Sequence, residues 1–187
     1  MTDAGPVDWR AEFDQNSNLI CVLDAQFKII YCNPAWDALA RAQGVESATE
    51  AKLVGLPLFQ FIPRALDHHY RKLLERAREK RQTVNAEYEC NTPDHYRRYR
   101  MTISGLAASS GVVIMHSLVA QGPIPYPICG RTQNDYGIGD RVLMCAQCRR
   151  TKRRLDNLWD WVPDFLRQIP SGADYGVCDD CVSLYHS

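Results

Sequence analysis

Four cysteines in two Cys-x-x-Cys pairs, Cys145/Cys148 and Cys178/Cys181, constrain the C-terminal third of this 187-residue chain more than any other feature. A Cys-x-x-Cys turn aims two thiolates at one point, and two such turns complete the tetrahedral sulfur shell that zinc prefers. The spacing therefore predicts one structural zinc ion held by Cys145, Cys148, Cys178 and Cys181, with all positions closed to substrate. His186 is left outside, because the thiolates already fill the shell. The competing readings are a thioredoxin-type redox pair and a reversible disulfide switch, although a redox site needs only one pair, placed after a strand of an α/β fold.

The 29 residues between the pairs, Arg149 to Val177, exceed those of a compact ribbon and must hold a folded element. The pattern predicts a helix over 156–169: Leu155, Leu158, Trp159, Val162, Phe165, Leu166 and Ile169 fall largely on one helical stripe, and Pro163 marks a kink or break. Residues 129–187 are few for an independent core. A structural zinc site, worth on the order of 10 to 16 kcal/mol in small peptide modules, offsets that deficit.

Upstream, the segment 121–128 carries Pro123, Pro125 and Pro127, which forbid helix continuation and a central strand, so it reads as a stiff extended linker. The expected division is an N-terminal extension (1–12), a mixed α+β domain (13–120), the linker (121–128) and the four-cysteine module (129–187). In the first domain, Leu19 to Leu23 and Phe27 to Cys32 are β-prone runs around Asp24-Ala-Gln26, which reads as a hairpin. Asn33 caps a helix opened by Pro34 and ended at Gly44. A longer helix spans about Ala65 to Lys80, with Leu66, His69, Tyr70, Leu73 and Ala77 on one face. Period-two alternation marks strands over 83–90 and 98–104, joined by a turn at Asn91-Thr-Pro-Asp94, and Gly111 to Val119 reads as a covered central strand. Cys21, Cys32, Cys90 and Cys129 are read as ordinary buried thiols.

That order, with the phrases IIYCNPAWDALA, LVGLPLFQFIP and YRRYRMTISGL…GVVIMHSLV, resembles a PAS sensory domain over roughly residues 13–120. Asn33-Pro34, Gly55 and Pro63 stand where PAS domains open the first helix, lead into a short helix and end it. The resemblance implies a five-stranded antiparallel sheet whose helical cover encloses a pocket or a dimer surface, and it implies pairing into a homodimer through the face near the N-terminal segment. In haem-binding PAS domains a histidine of the long helix ligates iron, and His69 stands close to that position. A half-buried, hydrogen-bonded His69 is the preferred reading, with haem the alternative. The cysteine motif of light-sensing flavin relatives does not follow Trp36. The C-terminal segment is similar to a cysteine-paired tail that closes many bacterial PAS, GAF and receiver proteins, through Cys145, Cys148, Arg149, Trp159, Gly176, Val177, Cys178, Cys181, Leu184 and Tyr185. It departs from that tail in its basic run Arg149 to Arg154 and in Tyr175, which stands for a histidine.

Lys+Arg and Asp+Glu balance at 22 each, so net charge gives no argument for nucleic acid or membrane. The run Arg149-Arg-Thr-Lys-Arg-Arg154 invites a nucleic-acid reading, but eight bases meet eight acids within 129–187, and a solvated face or protein-docking patch is preferred. Asp135-Tyr-Gly-Ile-Gly139 matches a short box of histidine-kinase ATP sites, yet too little chain follows it for such a domain, and it reads as a two-glycine loop. No catalytic frame is recognisable. Met1 to Arg10 lacks the pattern of a secretory signal, so the reading expects a cytoplasmic location with reduced thiols. Together these observations predict a non-enzymatic signalling protein of bacterial type. Its PAS domain would bind a small ligand or a protein partner, and its zinc module would dock onto another protein.

Overall fold

The computed structural model describes residues 9–106, 110–128, 133–138 and 141–184. Cys129, Arg131, Gly139, Tyr185, His186 and residues 1–8 of the expected extension lie outside the described residues. Among the described residues no helix is long and apolar enough to cross a membrane.

The described residues begin with helix α1 (Trp9–Asp14), followed by strands β1 (Leu19–Leu23) and β2 (Ile29–Cys32). Asp24 builds the hairpin turn: its carboxylate accepts from the amides of Gln26 at 2.8 Å and Lys28 at 2.9 Å, and Phe27 takes the left-handed conformation at φ 58°. Helix α2 (Pro34–Ala42) starts where Asn33-Pro34 predicts and ends before Gly44, at φ 67°. Then come α3 (Glu50–Leu53), α4 (Arg64–Lys80), β3 (Val84–Glu89), β4 (Tyr96–Gly105) and β5 (Val112–Gly122). These strands form a five-stranded antiparallel sheet in the order β2-β1-β5-β4-β3. β5 is central, as its apolar run predicts, but only its first half is covered: Val112 and Ile114 are buried, whereas Leu118 and Val119 are nearly half exposed.

By contact density the chain forms two compact units. One gathers the chain up to Gln60 with Leu74–Val84 and Thr102–Ser117. Its core holds Ile20, Val22, Tyr31 and Val113, against which Trp9 and Phe13 of α1 pack. Trp9 meets Tyr31 edge-on at 5.4 Å, and the Tyr31 hydroxyl donates to Asp14 at 2.7 Å. Asn33, fully buried, ties this region together. Its Oδ1 accepts from the amides of Trp36 and Ile20 at 3.2 and 3.0 Å, and its Nδ2 donates to the carbonyls of Phe13, Asn16 and Asn18. One side chain therefore caps α2 and closes the loop between α1 and β1.

The other unit gathers Phe61–Leu73, Asn85–Met101 and the chain from Leu118. Beyond β5 it contains β6 (Gly137–Ile138), β7 (Arg141–Cys145), β8 (Thr151–Lys152), β9 (Trp159–Asp160), α5 (Asp164–Arg167), β10 (Asp174–Gly176) and α6 (Asp179–Ser183). A second sheet runs β10-β7-β8-β9, with β6 paired to β7. β10 lies parallel to β7, and Gly176 is the partner of Cys145. Tyr136, Val142 and Met144 form a small core with Val162, Phe165, Leu166 and Tyr175 around it.

The helix predicted over 156–169 does not form. Trp159 and Asp160 pair instead with Lys152 and Thr151 as β9, Asn157 turns the chain at φ 60°, and helix is confined to the four residues of α5. The supposed stripe is not one face: Leu155, Leu158 and Ile169 are more than half exposed, while Val162, Phe165 and Leu166 line the small core. Cross-strand pairing overrides a helical period when the strand partner lies close in sequence and Pro163 already interrupts the helix.

Two stability effects follow. Asn33→Ala, which leaves the amide of Ile20 and the carbonyls of Phe13, Asn16 and Asn18 without their partner, destabilises the protein by about 3 kcal/mol in urea unfolding. His116 on β5 lies 6.0 Å from the Trp36 ring, and burial lowers its pKa to about 4. The unfolded chain then takes up a proton near pH 6.5 that the folded chain refuses until about pH 4. The contribution is therefore whole above pH 6.5 and lost as pH falls toward 4. Between pH 7 and 5 stability drops by about 1 to 2 kcal/mol, a slope that His116→Gln flattens.

Candidate metal centre

The four cysteines of the paired motifs converge. Cys145 ends β7, and its amide donates to the carbonyl of Arg150 at 2.7 Å. The turn that follows is closed by Arg149, whose amide reaches the Cys145 carbonyl at 3.2 Å from a left-handed backbone at φ 69°. Cys178 precedes α6 and Cys181 lies on its inner side. The two turns are brought together by β10 beside β7, and by the Ala146 amide donating to the Gly176 carbonyl at 2.8 Å. All four sulfurs lie within 4.8 Å of one another, each residue at most 1% exposed. Such an arrangement can hold one metal ion. Trp159 and Val177 pack against the cluster.

The four sulfurs do not share one protonation preference: hydrogen bonding among them draws the Cys145 and Cys178 thiols down and pushes those of Cys148 and Cys181 up. Arg150 is buried, and its guanidinium donates from Nε to Cys148 Sγ and from Nη2 to Cys178 Sγ, both at 3.2 Å. The Cys178 amide points at Cys145 Sγ at 3.5 Å. Hydrogen bonding by the Cys148 sulfur, then by those of Cys178 and Cys181, holds the Cys145 thiol well below its ordinary range. Arg150 is itself anchored by Asp180 at 2.7 Å and lies over the Tyr126 ring at 4.5 Å. A buried cation with two sulfur acceptors is the compensation that buried negative sulfur requires.

Segments 85–101 and 118–128 contribute to the same unit and hold the cysteine turns in place. Asn91, in the turn between β3 and β4, donates from Nδ2 to the carbonyl of Cys148 at 3.0 Å, a buried bond. Its Oδ1 accepts from the Arg97 amide at 2.9 Å. Tyr126, within the proline-rich segment, donates its hydroxyl to Glu89 at 2.6 Å and sets its ring 6.1 Å from that of Trp161. Ala146 and Gln147, between the first cysteine pair, line a cavity of about 150 Å³ with Pro63, Tyr70 and Tyr88. That volume is below the roughly 300 Å³ at which small-molecule pockets begin.

Other residues singled out in the sequence lie elsewhere. His69 is half-buried on α4 with its ring 6.1 Å from Tyr70 and is not part of the sulfur cluster. Cys21 and Cys32 are buried cross-strand partners; a hydrogen bond with Cys32, then burial, pushes the Cys21 thiol up, away from reactivity. Cys90 is half-buried. The basic run does not form one patch. Arg149 lies 5.8 Å from the Tyr175 ring, Arg150 enters the sulfur cluster, and Arg153 forks onto Asp160 with a second contact to Asp156 at 3.0 Å. Sequence reasoning missed Arg150, Asn91 and Tyr126 as supports of the cluster. Arg150 stands just before β8 inside the basic run, so its neighbours in sequence do not mark it.

Comparison with known proteins places the first domain. Residues 13–121 match the family described as PAS fold. Among solved structures, the PAS domain of nitrogen regulation protein NR(II) from Vibrio parahaemolyticus is similar at 16% identity and TM-score 0.41, over 61% of this chain and all of that one. A domain of a sensory box sensor histidine kinase/response regulator from Geobacter sulfurreducens shares 17% identity at TM-score 0.42, over 58% and 89% of the two chains. A PAS domain from Colwellia psychrerythraea shares 17% identity at TM-score 0.45, over 60% and 96%. No curated protein matches the chain. With its first helix opened at Asn33-Pro34 and its sheet in the order described, the chain belongs to the PAS family through residues 13–121.

Proposed function

We propose that this chain is a non-enzymatic, cytoplasmic signalling protein, paired as a homodimer, in which a PAS domain (13–120) senses a small ligand or protein partner. The linker (121–128) and a C-terminal module (129–187), folded on one structural zinc ion, then present the signal to a protein partner. The bond from Asn91 to the Cys148 carbonyl carries this reading. It joins the β3–β4 turn directly to the backbone of a ligand cysteine, so a change of sheet geometry reaches the cysteine turn without an intervening flexible segment. Tyr70, Tyr88 and Gln147 also line one small cavity of the same unit.

Zinc suits the donor set. Four thiolates about 2.3 Å from a tetrahedral ion stand about 3.8 Å apart. The Cys148 and Cys178 sulfurs are 3.6 Å apart here, and all four lie within 4.8 Å. Bound zinc would neutralise two of the four thiolate charges and crosslink two distant turns. Arg150 would offset part of the remainder through its bonds to Cys148 and Cys178.

Two measurements test this reading. Protein purified reduced and without chelators carries about one equivalent of zinc by elemental analysis, and Cys145→Ser loses it; less than about half an equivalent in the parent protein rejects the site. Arg150→Met weakens zinc binding about tenfold or more in competition with a chromogenic chelator, as removal of outer-sphere partners does. An unchanged affinity would remove Arg150 from its charge-balancing role.

A further inference from the structure

Beside β6, β7 and β8 lies an open cleft of about 840 Å³, lined by Arg141, Lys152, Arg154, Asn157, Gly172 and Asp174 among others. Its size is that of a site for a nucleotide-sized molecule. Its charge is unusual for a module whose bases and acids balance. Arg153 also lines it, but that guanidinium is held by Asp160 and Asp156. The other cations of the cleft, Arg141, Lys152 and Arg154, make no ion pair with a carboxylate among the described residues, although the Lys152 ammonium lies 5.9 Å from the Trp159 ring, and among the described residues the single acid in the lining is Asp174.

Of the remaining described bases of the module, Arg150 binds sulfur and Arg167 pairs with Asp94 at 2.8 Å and Asp164 at 3.1 Å, while Arg149, like Lys152, lies near an aromatic ring and does not line the cleft. Among the described residues, three cations without a carboxylate partner, Arg141, Lys152 and Arg154, thus line one concave place. A polyanionic chain tracks an extended basic groove, whereas a small ligand needs charges converging on a cleft. Two guanidiniums and an ammonium suit phosphate, which accepts forked donors and carries more than one charge.

The backbone holds these groups in place. The Arg154 amide donates to the Asp135 carbonyl at 2.9 Å, and the Tyr136 hydroxyl donates to Asp160 at 3.0 Å. Gly137 passes so close to Arg141 that any Cβ would collide with the Arg141 carbonyl, so the floor of the cleft admits only glycine there.

We propose that this cleft is a binding site for a small phosphorylated ligand of the nucleoside-phosphate class, held through Arg141, Lys152 and Arg154. The test is calorimetric titration of the full chain with inorganic pyrophosphate, and separately with a single-stranded RNA oligomer. Pyrophosphate is expected to bind saturably at one site. Arg154→Gln and Arg141→Gln should each weaken it about tenfold or more, as loss of a charge-assisted bond does. Arg71→Gln, an equal charge change on α4, should leave it unchanged. Lys152→Gln serves as the second variant should an arginine variant fail to fold. Zinc content of each variant separates loss of the cleft from loss of the metal centre. The proposal is overturned by no saturable heat up to about 5 mM pyrophosphate, which places any affinity weaker than about −3 kcal/mol. It is equally overturned by the same weakening in Arg71→Gln, or by RNA binding that pyrophosphate does not displace.

Discussion

The arrangement of the C-terminal half depends on how negative sulfur is tolerated in a dry place. Four cysteine sulfurs within 4.8 Å of one another, each buried, would repel or remain protonated unless positive charge were supplied. Arg150 supplies some of it, and it reaches the sulfurs because β8 turns back beside β7 directly after the first cysteine pair. The strands around the cluster are two to five residues long, too short to hold a sheet by themselves. What fixes them is the convergence at their ends. Asp180, Tyr126 and Asn91 then orient the groups that orient the sulfurs.

The first unit solves a similar problem without charge. Asn33 is as buried as the cysteines, and it is tolerated because each of its polar atoms has protein partners. One residue there coordinates three stretches of backbone, as the sulfur cluster coordinates three strands and a helix in the second unit. Both are polar centres inside apolar surroundings, and both set the geometry of neighbours whose own apolar area is small.

What could be read in the sequence follows the range of the forces involved. Asn33-Pro34 acts over four residues and its helix starts where expected. The alternation of Tyr99, Met101 and Ile103 reports a face of one strand and holds. The cysteine spacing also foretold the cluster, because a Cys-x-x-Cys turn is a local object and two of them have few other uses. The segment 156–169 misled because an apolar period of helical type was produced by residues serving two unrelated surroundings, a small core and open solvent. Arg150 and Tyr126 were invisible for another reason. A base within a basic run and a tyrosine among prolines carry no local mark of the distant groups, Cys178 and Glu89, that they meet only in the folded chain.

The parallel pairing of β10 with β7 has a consequence for how such a module can change over time. Gly176 lies beside Cys145, so the two cysteine turns are placed by neighbouring strand ends and not by the chain that runs between them. Residues 153–173 form an excursion that leaves this point and returns to it. Apart from Trp159, which packs on the cluster, the β9 pairing, and Val162, Phe165 and Leu166, which pack on the small core, such an excursion can lengthen, shorten or exchange its surface while the sulfur geometry stays put, much as a loop varies on a rigid frame. The cysteine turns are then a clasp, and the excursion is the part free to acquire new binding properties.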